Sequence, residues 1–349
     1  LKGKNLIIVQ LEGIDNWVIN KNDTPTLYNL MKDSINFTKH YSYYNGGGST
    51  FNSEFAVNTG FITPLSYNKN AYTFNRNNFK YSLANIFKEN KYSVNAFHKN
   101  TGEYYSRTVN YLNWGFENYY GLIDVTEYKD GSYDLDRELM LNEKFNTLMF
   151  PEDKLFLDYI ITYSNHMPFT NKKGVCKLLY DLDREEAKLN NLEFVVETYT
   201  EEECVRRQAK ETDYMVSLLM QSLEEKNLLD NTAIVFFADH YLYTLEDKTI
   251  LDKYKNTSNN LINQTPFFIW SKDIKKTTDF ELYDVVISGD EEERLAFNRV
   301  EIEGWVKTNR DNGSVGFIEF NDGTYFKNVQ LVYNKDCPSY SVLTALRTG

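Results

Sequence analysis

Apolar runs alternate along this chain with amphipathic stretches, and that alternation sets out an α/β architecture. Residues 5–11, NLIIVQL, form a continuous apolar run, which predicts a strand buried on both faces. Thr24-Pro25-Thr26 has the form of a helix start, with LYNLM as its apolar face. The segment YSYYNGGGSTFNSEFAVNTG reads as a glycine loop leading into a helix. SLANIFKEN follows as a short amphipathic helix, YSVNAFH as a strand, and KLFLDYIITYSNH as another strand with a polar end. Between about Glu201 and Lys226, the apolar positions Val205, Met215, Leu218, Leu219 and Leu223 predict a surface helix. TAIVFFADH is a second buried strand and PFFIW a further one. The order predicts a central, largely parallel sheet flanked by helices, occupying residues 1–275.

The pattern changes near Lys272. Residues 276–298 are charged and weakly periodic, as a linker is. From Arg299 on, RVEIEGWVKTNRDNGSVGFIEFNDGTYFKNVQLVY reads as three short strands joined by Asn/Asp/Gly turns, a small all-β unit over 299–349.

Composition narrows the function. The net charge of −12 argues against broad, nonspecific nucleic-acid binding, which needs a basic surface. No run approaches the roughly 18 apolar residues that span a bilayer, and LKGKNLIIVQLEG opens on a strand instead of a signal peptide. A soluble unit is expected, of the kind excised from a longer protein. Cys176, Cys204 and Cys337 are odd in number, widely spaced and outside any CxxC or zinc pattern, so no disulfide framework is expected. The 27 Tyr and 23 Phe read as packing residues.

Ligands of parallel sheets bind beyond the carboxyl ends of the strands. Four polar elements stand at such places or at helix starts: Glu12, Thr50, His166 and the pair Asp239-His240. Two carboxylates, an imidazole and a hydroxyl suit one divalent cation, Mn²⁺, Mg²⁺ or Zn²⁺, and a metal would turn the Thr50 hydroxyl into a competent nucleophile. The glycine run and the helix start behind Thr50 suit an anionic group. Each residue also has a plainer reading: Glu12 as a solvated turn carboxylate, Thr50 as a helix N-cap. His40 reads as structural.

The motifs NLIIVQLEG, TPTLYNL, GGGSTFNSEF, FHKNTGEYYSR, YSNHMPF and FFADHY stand in one order over residues 4–275. In that order they resemble the extracellular catalytic domain of lipoteichoic acid synthases, phosphoglycerol transferases of the alkaline phosphatase–sulfatase superfamily. The resemblance implies that Glu12, Thr50, Asp239 and His240 hold one Mn²⁺-type ion. It implies that Thr50 takes glycerol phosphate from phosphatidylglycerol, or another anionic phospholipid, and passes it to a polyglycerophosphate acceptor at the outer face of the bacterial membrane. His98, Asn100, Tyr105, Arg107 and His166 fall where that family holds the glycerophosphate. Arg107 suits the role because a guanidinium can grip phosphate with two hydrogen bonds, and His166 could donate a hydrogen bond or a proton. Tyr105 stands where the family often has Trp, Asn100 where many members have Asp, and LYTLED follows the last motif in place of a glycine-containing loop.

Other superfamily chemistries compete: a phosphodiesterase, a phosphoethanolamine transferase or a sulfatase. The Cys/Ser-x-Pro-x-Arg pattern of sulfatase nucleophiles is absent from GSTFNSEF. Only four histidines favour one metal over two or three.

Residues 299–349 resemble part of the N-terminal anticodon-binding OB-fold of asparaginyl-tRNA synthetases. That resemblance implies an anticodon-facing set of Arg310, Phe317 and Gln330, with Phe317 able to stack a base. Phe317 as core and Arg310 as a turn residue is the plainer reading, and the acidic charge makes tRNA an unexpected partner. A noncatalytic RNA-binding module is the competing function of a different class.

Overall fold

The computed structural model describes residues 3–42, 49–63, 69–126, 135–194, 196–258, 261–278, 305–321, 328–337 and 339–347. The chain divides into two units, Leu1–Phe280 and Glu281–Gly349. The glycine run 46–48 and most of the expected linker, 279–298, lie outside the described residues.

The first unit contains strands β1 (Asn5–Leu11), β2 (Ile35–Asn36), β3 (Ser93–His98), β4 (Asn118–Gly121), β5 (Phe156–Ile161), β6 (Thr232–Ala238), β7 (Phe267–Ser271) and β8 (Thr277–Thr278). They form one sheet in the order β4-β3-β5-β1-β6-β7-β2-β8. The pairs β3/β4, β3/β5, β1/β5 and β1/β6 are parallel. β1 lies between two parallel neighbours, which is why all seven of its residues are buried and why its sequence is almost unbroken apolar. β7, the PFFIW strand, runs antiparallel to both β6 and β2.

Helices cover both faces. They are α1 (Pro25–Lys32), α2 (Ser49–Thr59), α3 (Asn70–Thr73), α4 (Leu83–Glu89), α5 (Arg107–Asn113), α6 (Leu122–Val125), α7 (Glu138–Leu141), α8 (Glu143–Met149), α9 (Gly174–Leu189), α10 (Glu201–Glu225) and α11 (Thr249–Tyr254). Ile7, Val9 and Leu11 of β1 face a core shared with Leu27 and Leu30 of α1 and Val205, Met215 and Leu219 of α10. Leu6 and Ile8 point the other way, into a core with Phe51 and Phe55 of α2, Ala84 of α4 and Tyr111 of α5. The period of two along β1 thus feeds both layers.

Two expectations are corrected. α10 is more than a surface helix: Gln208, Glu211, Thr212 and Asp213 are buried along it with its apolar residues. Cys176 and Cys204, 28 residues apart, form a disulfide with a Cα–Cα distance of 5.5 Å. They lie in the first turns of α9 and α10, and it is the packing of those two helices that joins them, which Cys spacing alone does not encode. Cys337 is free.

The second unit is an antiparallel sheet of β9 (Trp305–Asp311), β10 (Val315–Asn321) and β11 (Val329–Asn334), in the order β11-β10-β9, followed by a helix at Tyr340–Ala345. Its small core holds Ile318, Phe320 and Tyr333. Phe317 lies opposite Arg310, and Gln330 opposite Glu319, so Arg310, Phe317 and Gln330 share the face turned away from that core. Phe317 is therefore not a core residue, and Arg310 is a strand residue. Arg310 sits 3.7 Å from Glu319, a carboxylate on the same face.

Candidate active site

The sheet places its chemistry at one edge. Glu12 follows β1 directly, Asp239 and His240 follow β6, and His98 ends β3. Gly13 takes a left-handed φ of +58, which turns the chain sharply after Glu12. Its N–H then donates to Asp239 Oδ1 at 2.9 Å, and its carbonyl accepts from Asn165 Nδ2 at 2.7 Å. The ends of β1 and β6 are locked together in this way.

Thr50 stands in the first turn of α2, inside the helix and not at a cap position. Ser53, one turn on, donates to the Asp239 carbonyl at 2.6 Å, and Gln10 Nε2 donates to the Thr50 carbonyl at 3.3 Å. So fixed, the Thr50 hydroxyl donates to Glu12 Oε2 at 3.0 Å and lies 3.5 Å from His240 Nε2. His240 Nε2 is 3.3 Å from Glu12 Oε1 and 3.4 Å from Asp239 Oδ2. Glu12, Asp239 and His240 are all buried, and each offers a ligand atom within 4.8 Å of the others. Glu12 is therefore no solvated turn residue.

The electrostatics of this cluster are unbalanced. Burial pushes Glu12 up, but the adjacent His240 more than offsets it and holds the carboxyl well below its ordinary range. Burial, and then the Glu12 charge, push Asp239 well up. Burial pulls His240 down, yet Asp239 and Glu12 outweigh it and raise the imidazole to about 9. Asp239 Oδ2 is buried and accepts no hydrogen bond. His240 Nδ1 lies 3.0 Å from the Tyr241 carbonyl and must donate there, which directs Nε2 to the carboxylates. Two carboxylates, one orphaned oxygen and an oriented imidazole are a donor set that fits a divalent cation.

The remaining candidates surround this cluster unevenly. His98 is buried with Nδ1 2.8 Å from the Ile161 carbonyl. Burial, then the Arg107 charge, hold its pKa well below 6.5, so it is a neutral imidazole. His166 stacks on Tyr163 at 5.1 Å, and its Nδ1 is 2.7 Å from the Met167 carbonyl. Tyr105 and Ser106 take φ of +56 and +51, a left-handed pair of non-glycine residues directly before Arg107. The Tyr105 N–H donates to the Tyr72 hydroxyl at 3.1 Å, and Asn110 Nδ2 donates to the Tyr105 carbonyl at 2.9 Å. The Asn100 side chain serves its own turn, accepting from the Thr101 N–H at 2.8 Å.

Arg107 departs from expectation. Its side chain is 2% exposed and pairs with the fully buried Glu54. Nε donates to Glu54 Oε2 at 3.1 Å and Nη2 to Oε1 at 2.7 Å, while the Tyr111 hydroxyl donates to Glu54 at 2.9 Å. The two-pronged edge is committed to Glu54, and Nη1 alone is left, buried and without a partner. Glu54 has one signal in the sequence, NSEF, which puts a carboxyl one helical turn after Thr50. Gln10, a polar residue after four apolar ones in NLIIVQL, is a second supporting residue that the buried-strand pattern hides. His40 holds Thr265, with Nδ1 3.2 Å from its carbonyl, as a structural histidine does.

The sequence profile of the Sulfatase family matches residues 4–291. The chain belongs to the sulfatase family. Among curated relatives, the lipoteichoic acid synthase-like protein YvgJ of Bacillus subtilis is 28% identical over 250 residues, 69% of this chain and 37% of that one. A lipoteichoic acid synthase of Staphylococcus saprophyticus is 27% identical over 254 residues, 69% of this chain and 36% of its own. The chain thus spans well under half the length of these family members. In fold it is similar to the lipoteichoic acid synthase LtaP of Listeria monocytogenes, with a TM-score of 0.62 at 20% identity, covering 98% of this chain and 89% of that one. An alkaline phosphatase superfamily protein of Vibrio parahaemolyticus follows at TM-score 0.58 and 17% identity, covering 99% and 85%.

Proposed function

We propose that this sulfatase-family domain transfers glycerol phosphate from phosphatidylglycerol to a polyglycerophosphate chain through a covalent intermediate on Thr50. One observation carries the proposal: the Thr50 hydroxyl, 3.0 Å from Glu12 and 3.5 Å from His240, in a buried cluster of two carboxylates and an imidazole. The likeness to proteins named lipoteichoic acid synthases supports the substrate class.

In the first step Thr50 Oγ attacks phosphorus. The Oγ–P bond forms, the bond from phosphorus to the diacylglycerol oxygen breaks, and diacylglycerol leaves with a proton. In the second step a glycerol hydroxyl of the acceptor attacks the same phosphorus, the Oγ–P bond breaks, and Thr50 recovers a proton. Glu12 accepts the Thr50 hydrogen bond and orients the nucleophile. Arg107 Nη1 and neutral His98 are hydrogen-bonding partners for phosphate oxygens, and His166 serves the leaving or entering oxygen. Glu12, Asp239, His240 and Thr50 would hold one divalent ion, Mn²⁺ before Mg²⁺ or Zn²⁺, which supplies Lewis acidity for Thr50 and neutralises developing charge.

The disulfide supports a place outside the cytosol, where such bonds persist. Among the described residues no helix is long and apolar enough to cross a membrane.

Intact mass after incubation with Mn²⁺ and phosphatidylglycerol tests the proposal. The wild type is expected to gain a glycerophosphate adduct and Thr50→Ala none. Wild type that binds Mn²⁺ yet stays unmodified would overturn it in favour of another superfamily phosphoester reaction.

A further inference from the structure

Around the wall of the site lies a surface the reaction does not use. Phe61, Ile62 and Tyr81 are exposed by 61%, 66% and 79%, and Tyr72, Tyr104, Val109 and Leu112 are exposed too. Contacts tie the segments that carry them together. Phe61 packs on Phe79 at 5.9 Å, and the Phe79 N–H donates to the Asn113 carbonyl at 3.4 Å. Asn113 Nδ2 donates to the Asn75 carbonyl at 2.7 Å, and Asn75 Nδ2 to Ser106 at 3.0 Å. Tyr72 holds the Tyr105 backbone, so the patch runs into the wall beside Arg107.

Charge singles out the same segment. The chain carries 50 acidic residues against 38 basic ones, yet residues 55–88 contain no Asp or Glu and four basic residues, Lys69, Arg76, Lys80 and Lys88. All four are exposed. Lys80 lies 5.3 Å from the centre of the Tyr81 ring.

We propose that this face docks onto an anionic lipid bilayer. Aromatic rings settle at the headgroup level, exposed aliphatics enter the acyl boundary, and lysines and arginines meet the negative surface. The charge decides the occupant: apart from the exposed Glu89 after Lys88 and Glu103 beside Tyr104, the charges along the 55–88 segment are all basic, which an apolar patch for a protein partner does not need and an anionic bilayer favours in so acidic a chain. The inference rests on the reading that the substrate is a phospholipid headgroup, and it explains how a half-buried nucleophile meets a lipid that stays in its membrane.

Co-sedimentation with vesicles of phosphatidylcholine alone, or mixed with phosphatidylglycerol, tests it. The wild type and Thr50→Ala are expected to bind mixed vesicles alike and phosphatidylcholine weakly. Ile62→Ser/Tyr81→Ser and Lys69→Glu/Arg76→Glu/Lys80→Glu should each bind mixed vesicles about tenfold or more weakly, since one basic residue is worth about fivefold at such a surface. Both variants should still turn over a short-chain, water-soluble phosphatidylglycerol normally. Wild-type binding by both variants, or no vesicle binding by the wild type, overturns the proposal. Loss on charge reversal alone, with Ile62→Ser/Tyr81→Ser unaffected, overturns it in favour of a soluble polyanion site. Vesicle binding without an adduct on Thr50 sinks the transfer reading and leaves the docking face standing; an adduct without vesicle binding does the reverse.

Discussion

Asp158 stands in the middle of β5, fully buried, with neither carboxylate oxygen hydrogen-bonded. It pairs across the sheet with Ile7 and Asn95, and burial alone pushes its carboxyl well above 3.8. The sign of its effect follows. In the unfolded chain Asp ionises near pH 4, while in the fold it keeps its proton, so the fold binds more protons and loses stability as pH rises above about 4. Asp158→Leu is expected to raise stability at pH 7 by about 1–3 kcal/mol. That gain should narrow toward pH 4, as read by urea unfolding of both proteins across the range; a gain independent of pH would refute the protonated carboxyl. Glu54 is the opposite case, since a guanidinium and a phenol satisfy it. Sequence does not distinguish these two acids: each is a lone carboxyl in an apolar setting, and only the tertiary neighbours decide which has a partner.

At the level of elements, α10 does more than cover the sheet. Gln208 Nε2 donates to the carbonyls of Ser164 at 2.8 Å and His166 at 2.9 Å. Thr212 donates to Asp136 at 2.8 Å, whose carboxylate also accepts from the N–H groups of Tyr163 and Ser164 at 2.6 and 3.0 Å. These bonds clamp the turn that carries His166. Gln208→Leu is expected to lower kcat on the order of tenfold through misplacement of that turn, with KM much less affected. Steady-state kinetics beside a thermal melt check this, and full activity at an unchanged Tm would mean the clamp is dispensable. The strands β1, β3, β5, β6 and β7 were legible because buried runs announce themselves, as did α1, α4 and α10. The two-residue strands β2 and β8 are too short to leave a period, and the buried polar stripe of α10 looks like solvent-facing residues until its partners are known. That Glu12, Thr50, Asp239 and His240 come together was legible from their places after strands and at a helix start. The support given by Gln10, Ser53 and Gly13 was not, because hydrogen bonds between distant loops leave no local pattern.

For the molecule as a whole, the family profile covers the residues that build the central sheet, and the second unit is a three-stranded sheet with its own small core. Three cysteines gave no hint of a bridge, yet the one between Cys176 and Cys204 turns residues 177–203 into a closed ring off the sheet. That ring exposes Lys177, Arg184 and Lys188 along α9, so a trypsin-like protease has bonds to cut there. A single cut inside the ring leaves both halves tethered. Limited digestion at this place should therefore give a chain of unchanged size without reductant and two fragments with it, and fragments that part without reductant would exclude the bridge. A nicked molecule held this way keeps α9 and α10 tethered, so a cut inside this ring leaves the protein in a single piece.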